Sequence, residues 1–172
     1  MLDTSRQISE SLDLTRFFAG RTSAWGLFED RFGTMRRRFS VTIDGAWRGE
    51  EFVMDEAFRF DDGSAERRVW RIRPKADGRF MAVADDVVGE AAGSLHGPTV
   101  IIRYKLMINA GPLLKVVRFD DRMHRIDEHT VINRATISKF GIRLGTVTIL
   151  FRREDTGAFS RQARPVVAGS PG

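Results

Sequence analysis

The chain has 172 residues, of which 42% are apolar, 30% are charged and 10% are aromatic. This composition is typical of one globular domain with a sizeable core, and it argues against global disorder, collagen-like repeats and a coiled coil. Because cysteine is absent, disulfides, thiolate metal sites and cysteine nucleophiles are excluded.

The formal charge is +5 at pH 7, and only four of the 28 basic residues are lysines. A positive balance favours contact with nucleic acid, anionic lipid or acidic substrates. The basic residues alternate with apolar ones, and neither a recognition helix nor an aromatic RNA-binding motif is present, so we expect no nucleic-acid binding. The charge does permit peripheral contact with an anionic membrane.

The opening sequence, MLDTSRQISESLDL, lacks the apolar core of a secretory signal,. No stretch reaches the roughly 18 consecutive apolar residues of a membrane-spanning helix. As written, the sequence predicts a cytoplasmic protein, an inference that depends on Met1 being the native start. A mature exported form without its signal would look the same.

The chain is predicted to have three parts. Residues 1–11 and 155–172 are polar without periodicity and predict a flexible N-terminus and a flexible C-terminal tail,. Residues 12–154 predict a single domain, which opens with a short helix in the segment LDLTRFFAG.

The middle of the chain has the pattern of an antiparallel meander. From Ser23 to Arg153, segments rich in Val, Ile, Phe, Trp and Thr are separated by turn signals such as Asp62-Gly63,. Within this meander we predict a single strand over residues 80–90 and a separate short strand over residues 123–127.

A meander of about eight to ten strands tends to close, because closure removes exposed edges. The predicted fold is therefore all-β, an antiparallel up-and-down β-barrel with a short N-terminal helix. A sandwich of two sheets is the alternative. An eight-stranded barrel holds packed side chains or one small ligand, and ten strands leave room for a larger one.

Carboxylates within strand-like sequence are the first candidates for chemistry. Glu56 interrupts an apolar row of alternate residues that includes Met54 and Phe58, and a desolvated carboxyl there would have a raised pKa,. Asp-Asp pairs at 85–86 and 120–121 can each direct at most one side chain inward. The candidate catalytic carboxyls are Glu56, Asp86 and Asp121.

Buried carboxylates require partners, and arginines on the strands can supply them or can bind the head group of a fatty acid. One strand has a polar face with Ile132, Arg134, Thr136 and Ser138, which is either a pocket wall or the solvent side. The residues predicted to bind a ligand are Arg68, Trp70, Asp86, Glu90, Tyr104, Asp121, Asn133, Arg134 and Lys139.

Other chemistries lack their signatures. The three histidines, His96, His124 and His129, do not have the spacing of a metal site on one strand face. No Gly-x-Ser-x-Gly elbow and no phosphate-binding glycine loop is present. The sequence therefore predicts neither a metal nor a cofactor.

Several blocks carry a resemblance: RRFSVTIDGAW, DEAFRFDDG, ADDVVGEAAG and INRATISKFGIRLGTVTILFRR. Between Leu12 and Arg153 they resemble a bacterial family known as a domain of unknown function, many members of which are described as lipoproteins. The resemblance implies a lipocalin-like, calycin-type barrel without an established activity, and an association with membrane-lipid modification. This chain differs from the lipoprotein members in having no lipid-attachment cysteine.

The predicted function is binding of a hydrophobic small molecule, such as a lipid, a fatty-acyl or an isoprenoid-like compound, in a barrel cavity. One alternative is an enzyme that acts on a lipid by acid/base chemistry, as an isomerase or hydratase does. Another is a scaffold without a small ligand. The sequence leaves open which face of each strand points inward, so these alternatives stand side by side.

Overall fold

Ten antiparallel strands close into a barrel in the computed structural model, which describes residues 11–110 and 113–154. Each strand pairs with its sequence neighbour, and β1 pairs with β10 to complete the barrel. The strands are β1 (Gly20–Asp30), β2 (Met35–Arg48), β3 (Glu51–Phe60), β4 (Ala65–Pro74), β5 (Arg79–Val83), β6 (Ala91–His96), β7 (Thr99–Ala110), β8 (Leu113–Arg125), β9 (Thr130–Lys139) and β10 (Ile142–Arg153). The prediction of an all-β up-and-down barrel with a short N-terminal helix is confirmed.

Alternation along each strand separates the core from the solvent. In β2 the inward residues Val41 and Ile43 are buried, whereas Thr42 and Asp44, which alternate with them, are exposed. The outer face is rich in cross-strand pairs of arginine and carboxylate. Examples are Arg21–Asp44 at 2.9 Å, Arg73–Glu51 at 2.7 Å and Arg103–Asp120 at 2.9 Å.

A short helix, α1 (Leu14–Phe17), covers one end of the barrel. It begins at Asp13, whose carboxylate accepts hydrogen bonds from the next turn's backbone N–H groups at 2.9 and 3.2 Å,. Its apolar side packs into the barrel, where the ring of Phe18 meets that of Phe151 edge to face at 5.2 Å. The helix therefore closes this end with aromatic side chains.

The connections alternate between the two ends because the strands run up and down. Backbone N–H of Leu12 donates to the carbonyl of Gly97 at 3.1 Å, which places the β6–β7 turn beside α1. The β2–β3, β4–β5 and β8–β9 turns lie at this same end. The β1–β2, β3–β4, β5–β6 and β9–β10 connections lie at the opposite end.

Two strand boundaries differ from the prediction. Strand β5 ends at Val83, and the following residues form a connection that touches β7 through a single bridge between Val87 and Leu106. Strand β8 continues without a break through Asp120 and Asp121, because the first carboxylate points outward to arginines and the second points inward to a hydrogen-bond donor.

The predicted flexible ends lie outside the described residues, apart from Ser11. In the described part of the chain no helix is long and apolar enough to cross a bilayer.

Gly45 controls how closely α1 approaches the barrel. A Cβ added at this buried position of β2 would overlap the carbonyl oxygen of Phe18 and crowd the ring of Phe52. We expect Gly45→Ala to lower the free energy of unfolding by about 1–3 kcal/mol, the usual effect of overpacking. Urea denaturation measures this loss. Ala46→Ser, on the exposed face of the same strand, is the control and should change stability little; equal values for both variants would contradict this account of α1.

Candidate ligand site inside the barrel

The barrel encloses a cavity of about 200 Å³. Its wall is mostly apolar, and Leu14 and Phe18 form the part nearest α1. Six of the lining residues carry polar atoms: Glu56, Arg68, Trp70, Tyr104, Asp121 and Asn133. An apolar cavity with a few convergent polar groups is the usual form of a small-molecule site.

Asp121 is the centre of the first polar cluster. The side-chain amide of Asn133, on the neighbouring strand β9, donates to Asp121 Oδ2 at 3.1 Å. The hydroxyl of Tyr104, on the other neighbour β7, donates to the same oxygen at 3.4 Å. Asp121 Oδ1 and Asn133 Oδ1 are buried and have no hydrogen-bond partner among the described residues. Buried polar atoms are nearly always paired, so these two residues of the cavity wall each keep an acceptor oxygen that no described residue satisfies.

Arg68 links the cavity to the solvent. It lies directly opposite Glu56 in the pairing of β3 with β4. Its guanidinium binds Asp86 through Nε, at 3.0 and 2.9 Å to the two oxygens, and through Nη2 at 2.7 Å. The side chain of Arg68 is 16% exposed and that of Asp86 is 36% exposed. This bidentate pair therefore runs from the barrel interior to the β5–β6 connection.

Burial shifts both inner carboxyls toward neutrality. It raises the pKa of Glu56 to about 7, against the opposing effects of the Arg68 charge and a hydrogen bond from Trp70,. Burial likewise raises the pKa of Asp121 to about 7, although hydrogen bonds from Asn133 and Tyr104 oppose it. Both groups can thus gain or lose a proton near neutral pH, as a surface carboxylate cannot.

The structure brings together most of the residues singled out from the sequence. Asp86 reaches the site only through Arg68. Glu90, Arg134 and Lys139 are not among the cavity-lining residues. Glu90 is exposed in the β5–β6 connection, and Lys139 is half-buried at the far end of β9.

The polar face of β9 is the solvent side. Asn133, Ala135 and Ile137 are buried, and Arg134 between them is exposed. Arg134 therefore points away from the ligand site, and the interpretation of its face as a pocket wall is wrong. The choice between the two faces was open because both contain apolar and polar residues.

Sequence reasoning missed the small residues that leave the cavity open. Ala82 on β5 and Ala135 on β9 line it and are almost fully buried. A small residue at an inward position of an otherwise bulky strand was the signal that could have found them. Within the described ranges, no group of His, Asp and Glu has the arrangement of a metal site.

Residues 1–153 match the model of a protein family described as "Protein of unknown function (DUF3833)". The chain belongs to this family. No curated protein matches it. This family membership confirms the resemblance between the sequence blocks quoted above and a domain of unknown function.

Solved structures share the barrel at low sequence identity. The S-type phycobiliprotein lyase CPES from Guillardia theta is 6% identical, with a TM-score of 0.59 over 82% of this chain and 91% of that chain. Rv2717c from M. tuberculosis is 12% identical, with a TM-score of 0.54 over 80% of this chain and 93% of that chain. These likenesses show the fold alone, a closed antiparallel β-barrel.

The raised carboxyl pKa values predict how stability depends on pH. In the unfolded chain Glu56 and Asp121 titrate near 4.5 and 3.8, whereas in the folded chain they titrate near 7. Between these values the folded state holds protons that the unfolded state has lost, so the free energy of unfolding falls as pH rises from about 4 to 7 and then levels off. Each group contributes on the order of 3–4 kcal/mol to this fall.

Glu56→Gln should remove the Glu56 part of that dependence, and Asp121→Asn should remove the other part. Urea denaturation at a series of pH values measures the slope. Glu50→Gln, at an exposed turn position, is the matched control and should leave the slope as it is in the parent protein. A parent protein whose stability is level across this range would show that the two carboxyls ionise normally.

Proposed function

We propose that the barrel binds a hydrophobic small molecule with one polar end, such as a fatty-acyl or isoprenoid-like lipid. The observation that carries this proposal is the pair of unpartnered buried oxygens, Asp121 Oδ1 and Asn133 Oδ1, in a cavity that is otherwise mostly apolar. The apolar part of the ligand would occupy the cavity, and its polar end would meet these oxygens.

The size of the cavity supports a ligand over a filled core. Protein interiors contain few voids larger than a water molecule. An unfilled volume of about 200 Å³ would cost on the order of 5 kcal/mol at about 24 cal/mol per Å³. That is a large part of the stability of a typical domain. An engineered apolar cavity of about 150 Å³ already binds benzene, so this one has room for at least a molecule of that size.

The chemistry of the polar cluster favours a ligand group that can donate a hydrogen bond. Asn133 Oδ1 is an acceptor, and Asp121 Oδ1 is an acceptor whenever Asp121 is ionised. A hydroxyl, an amide or a protonated acid satisfies them. A carboxylate would meet Arg68 favourably, but it would compete there with the bidentate contact of Asp86.

The covered end of the barrel implies a direction of access. Because α1 packs its aromatic side chains into one end, a ligand is expected to enter at the opposite end. Asp86 lies in a connection at that end. Its contact with Arg68 therefore stands between the solvent and the inner carboxyls.

Filling the cavity should abolish binding without unfolding the protein. Ala135→Leu places additional methyl groups in the space that the ligand would occupy, so a fluorescent acyl probe that binds the parent protein should no longer bind. The free energy of unfolding should stay level or rise, because the void becomes smaller. Fluorescence titration measures the affinity, and solvent extraction followed by mass spectrometry tests for a copurified lipid.

Ala57→Leu is the control for the same substitution on the exposed face of β3, and it should bind the probe normally. The proposal fails if the parent protein takes up none of a panel of acyl and isoprenoid probes and carries no lipid. It also fails if Ala135→Leu folds and binds the probe as well as the parent does.

A second candidate function rests on the two inner carboxyls. Glu56 and Asp121 both titrate at about 7 within one cavity, and a general acid or base works best with a pKa near the operating pH. An isomerase acting on a lipid is the activity that such a pair favours.

That activity would exchange protons between a bound lipid and water. Parent protein incubated with a lipid in deuterium oxide should then introduce deuterium, which mass spectrometry detects. Glu56→Gln or Asp121→Asn should stop the exchange while keeping affinity within a few fold. If a lipid binds to the parent protein but stays unlabelled, the isomerase proposal is wrong and only the binding function remains.

A further inference from the structure

Two neighbouring hairpins at the end opposite α1 carry the same tip, a cation followed by Phe and Gly. The β1–β2 turn contains Arg31-Phe32-Gly33, and the β9–β10 turn contains Lys139-Phe140-Gly141. The side chains at their centres are the most exposed large apolar ones in the described residues, Phe32 at 78% and Phe140 at 92%. Because β1 pairs with β10, the two tips belong to adjacent hairpins.

The local geometry does not require Phe32. The β3–β4 turn, residues 60–64, repeats the backbone hydrogen bonds of the β1–β2 turn, residues 30–34. In both, the N–H of the first residue donates to the carbonyl of the fifth at 2.9 Å, and the N–H of the fourth donates to the carbonyl of the first at 3.0 Å. The position of Phe32 is taken there by Asp62. A polar residue therefore serves this turn equally well.

Phe140 is unfavourable for its own backbone. Its φ of +51° lies in the left-handed region, and with Gly141 at +77° it forms the two-residue loop between the paired Lys139 and Ile142. Such loops favour Asn-Gly or Asp-Gly, and a bulky residue there costs about 1–3 kcal/mol. A ring that is almost fully exposed gains little burial to offset this cost. This unfavourable conformation indicates that the Phe140 ring serves a contact with another molecule and not the folding of the chain itself.

The surroundings of the two rings combine apolar and basic groups. The guanidinium of Arg31 lies 4.7 Å from the centre of the Phe32 ring, and the ammonium of Lys139 lies 5.3 Å from that of Phe140. Within a few residues of these tips, the same two hairpins also expose Met35, Ile142 and Leu144. Aromatic rings flanked by cations match the boundary between lipid head groups and acyl chains, and the cations match anionic phosphates.

We propose that these two tips dock the barrel on an anionic lipid surface, with Phe32 and Phe140 inserted among the head groups and Arg31 and Lys139 against the phosphates. This surface stands on the hairpin geometry and does not depend on the cavity having a ligand. Docking in this orientation would bring the uncovered end of the barrel to the membrane.

The test is cosedimentation of the purified protein with vesicles of phosphatidylglycerol and phosphatidylcholine, compared with vesicles of phosphatidylcholine alone. The parent protein should prefer the anionic vesicles, and added salt should weaken its binding. The double variant Phe32→Asn with Phe140→Asn should bind at least about tenfold more weakly, since two aromatic anchors are lost. It should fold normally, because Asn-Gly suits both tips.

Removing the charges should have a separate effect. Arg31→Gln and Lys139→Gln should each weaken binding to anionic vesicles about fivefold, from about 1 kcal/mol for each basic residue near the surface. The matched control is Ile126→Asn, which changes an exposed apolar residue in the β8–β9 turn at the α1 end. It should bind vesicles as the parent protein does.

The proposal is overturned if the parent protein ignores anionic vesicles or if the double Asn variant binds them normally. It is also overturned if size-exclusion chromatography shows a dimer that the double Asn variant dissociates, because the tips would then pair with a second copy of this chain. Failure here is distinct from failure of the cavity proposal. The double Asn variant should keep its acyl-probe affinity, and Ala135→Leu should keep its vesicle binding.

Discussion

The pairing of β1 with β10 is the constraint on which the rest of the structure depends. The two strands pair from Thr22 opposite Arg153 to Asp30 opposite Gly145. At Gly145 a Cβ would overlap the backbone oxygen of Glu29 and the ring of Phe28, so a glycine is needed at this point of the pairing. Closure turns the inward faces of all ten strands into one interior. Glu56 and Asp121, far apart in sequence, share a cavity for this reason.

Alternation along single strands made much of this interior predictable. The apolar row that contains Glu56 showed which residues of that strand share a face. The row that contains Asn133 did not show which face is inside, because Arg134 on the opposite face also has apolar neighbours. That choice depends on the register of β9 between β8 and β10, which is a property of the closed sheet and not of the strand.

The Asp120–Asp121 pair is a second place where the sequence of a single strand is not enough to predict the structure. Two successive carboxylates normally suggest a bend, and the sequence around them was read as a break between strands. The sheet accommodates both without a break because Arg103 and Arg122 hold Asp120 outside while Asn133 and Tyr104 hold Asp121 inside. Arg122 is close to both carboxylates in the chain, but the other three partners lie on the neighbouring strands β7 and β9. Strand continuity here follows from neighbours that only the fold brings together.

The charges of the protein are distributed unequally between its two faces. Outside, arginines and carboxylates face each other across neighbouring strands, so charges of opposite sign lie close together on the surface of a chain with 51 charged side chains and a net charge of +5. Inside, Arg68 is held by Asp86, and the two deeper carboxyls lack a cation of their own. The pKa values of these carboxyls are raised to about 7, as expected for groups that are buried without a full ionic partner.

Among the described residues, the cavity and the β9–β10 tip are each unfavourable for the isolated chain. The cavity leaves a volume of about 200 Å³ unfilled and two polar oxygens without a hydrogen-bond partner. At the β9–β10 tip, the bulky residue Phe140 has a left-handed backbone conformation. At the Asp-Gly sequence of the β3–β4 turn, by contrast, local preference and fold agree. Sites where a sequence departs from its own local rules are commonly sites of function. In this barrel the two departures lie in the interior and at the uncovered end, which are the places where a ligand and a membrane would meet the protein.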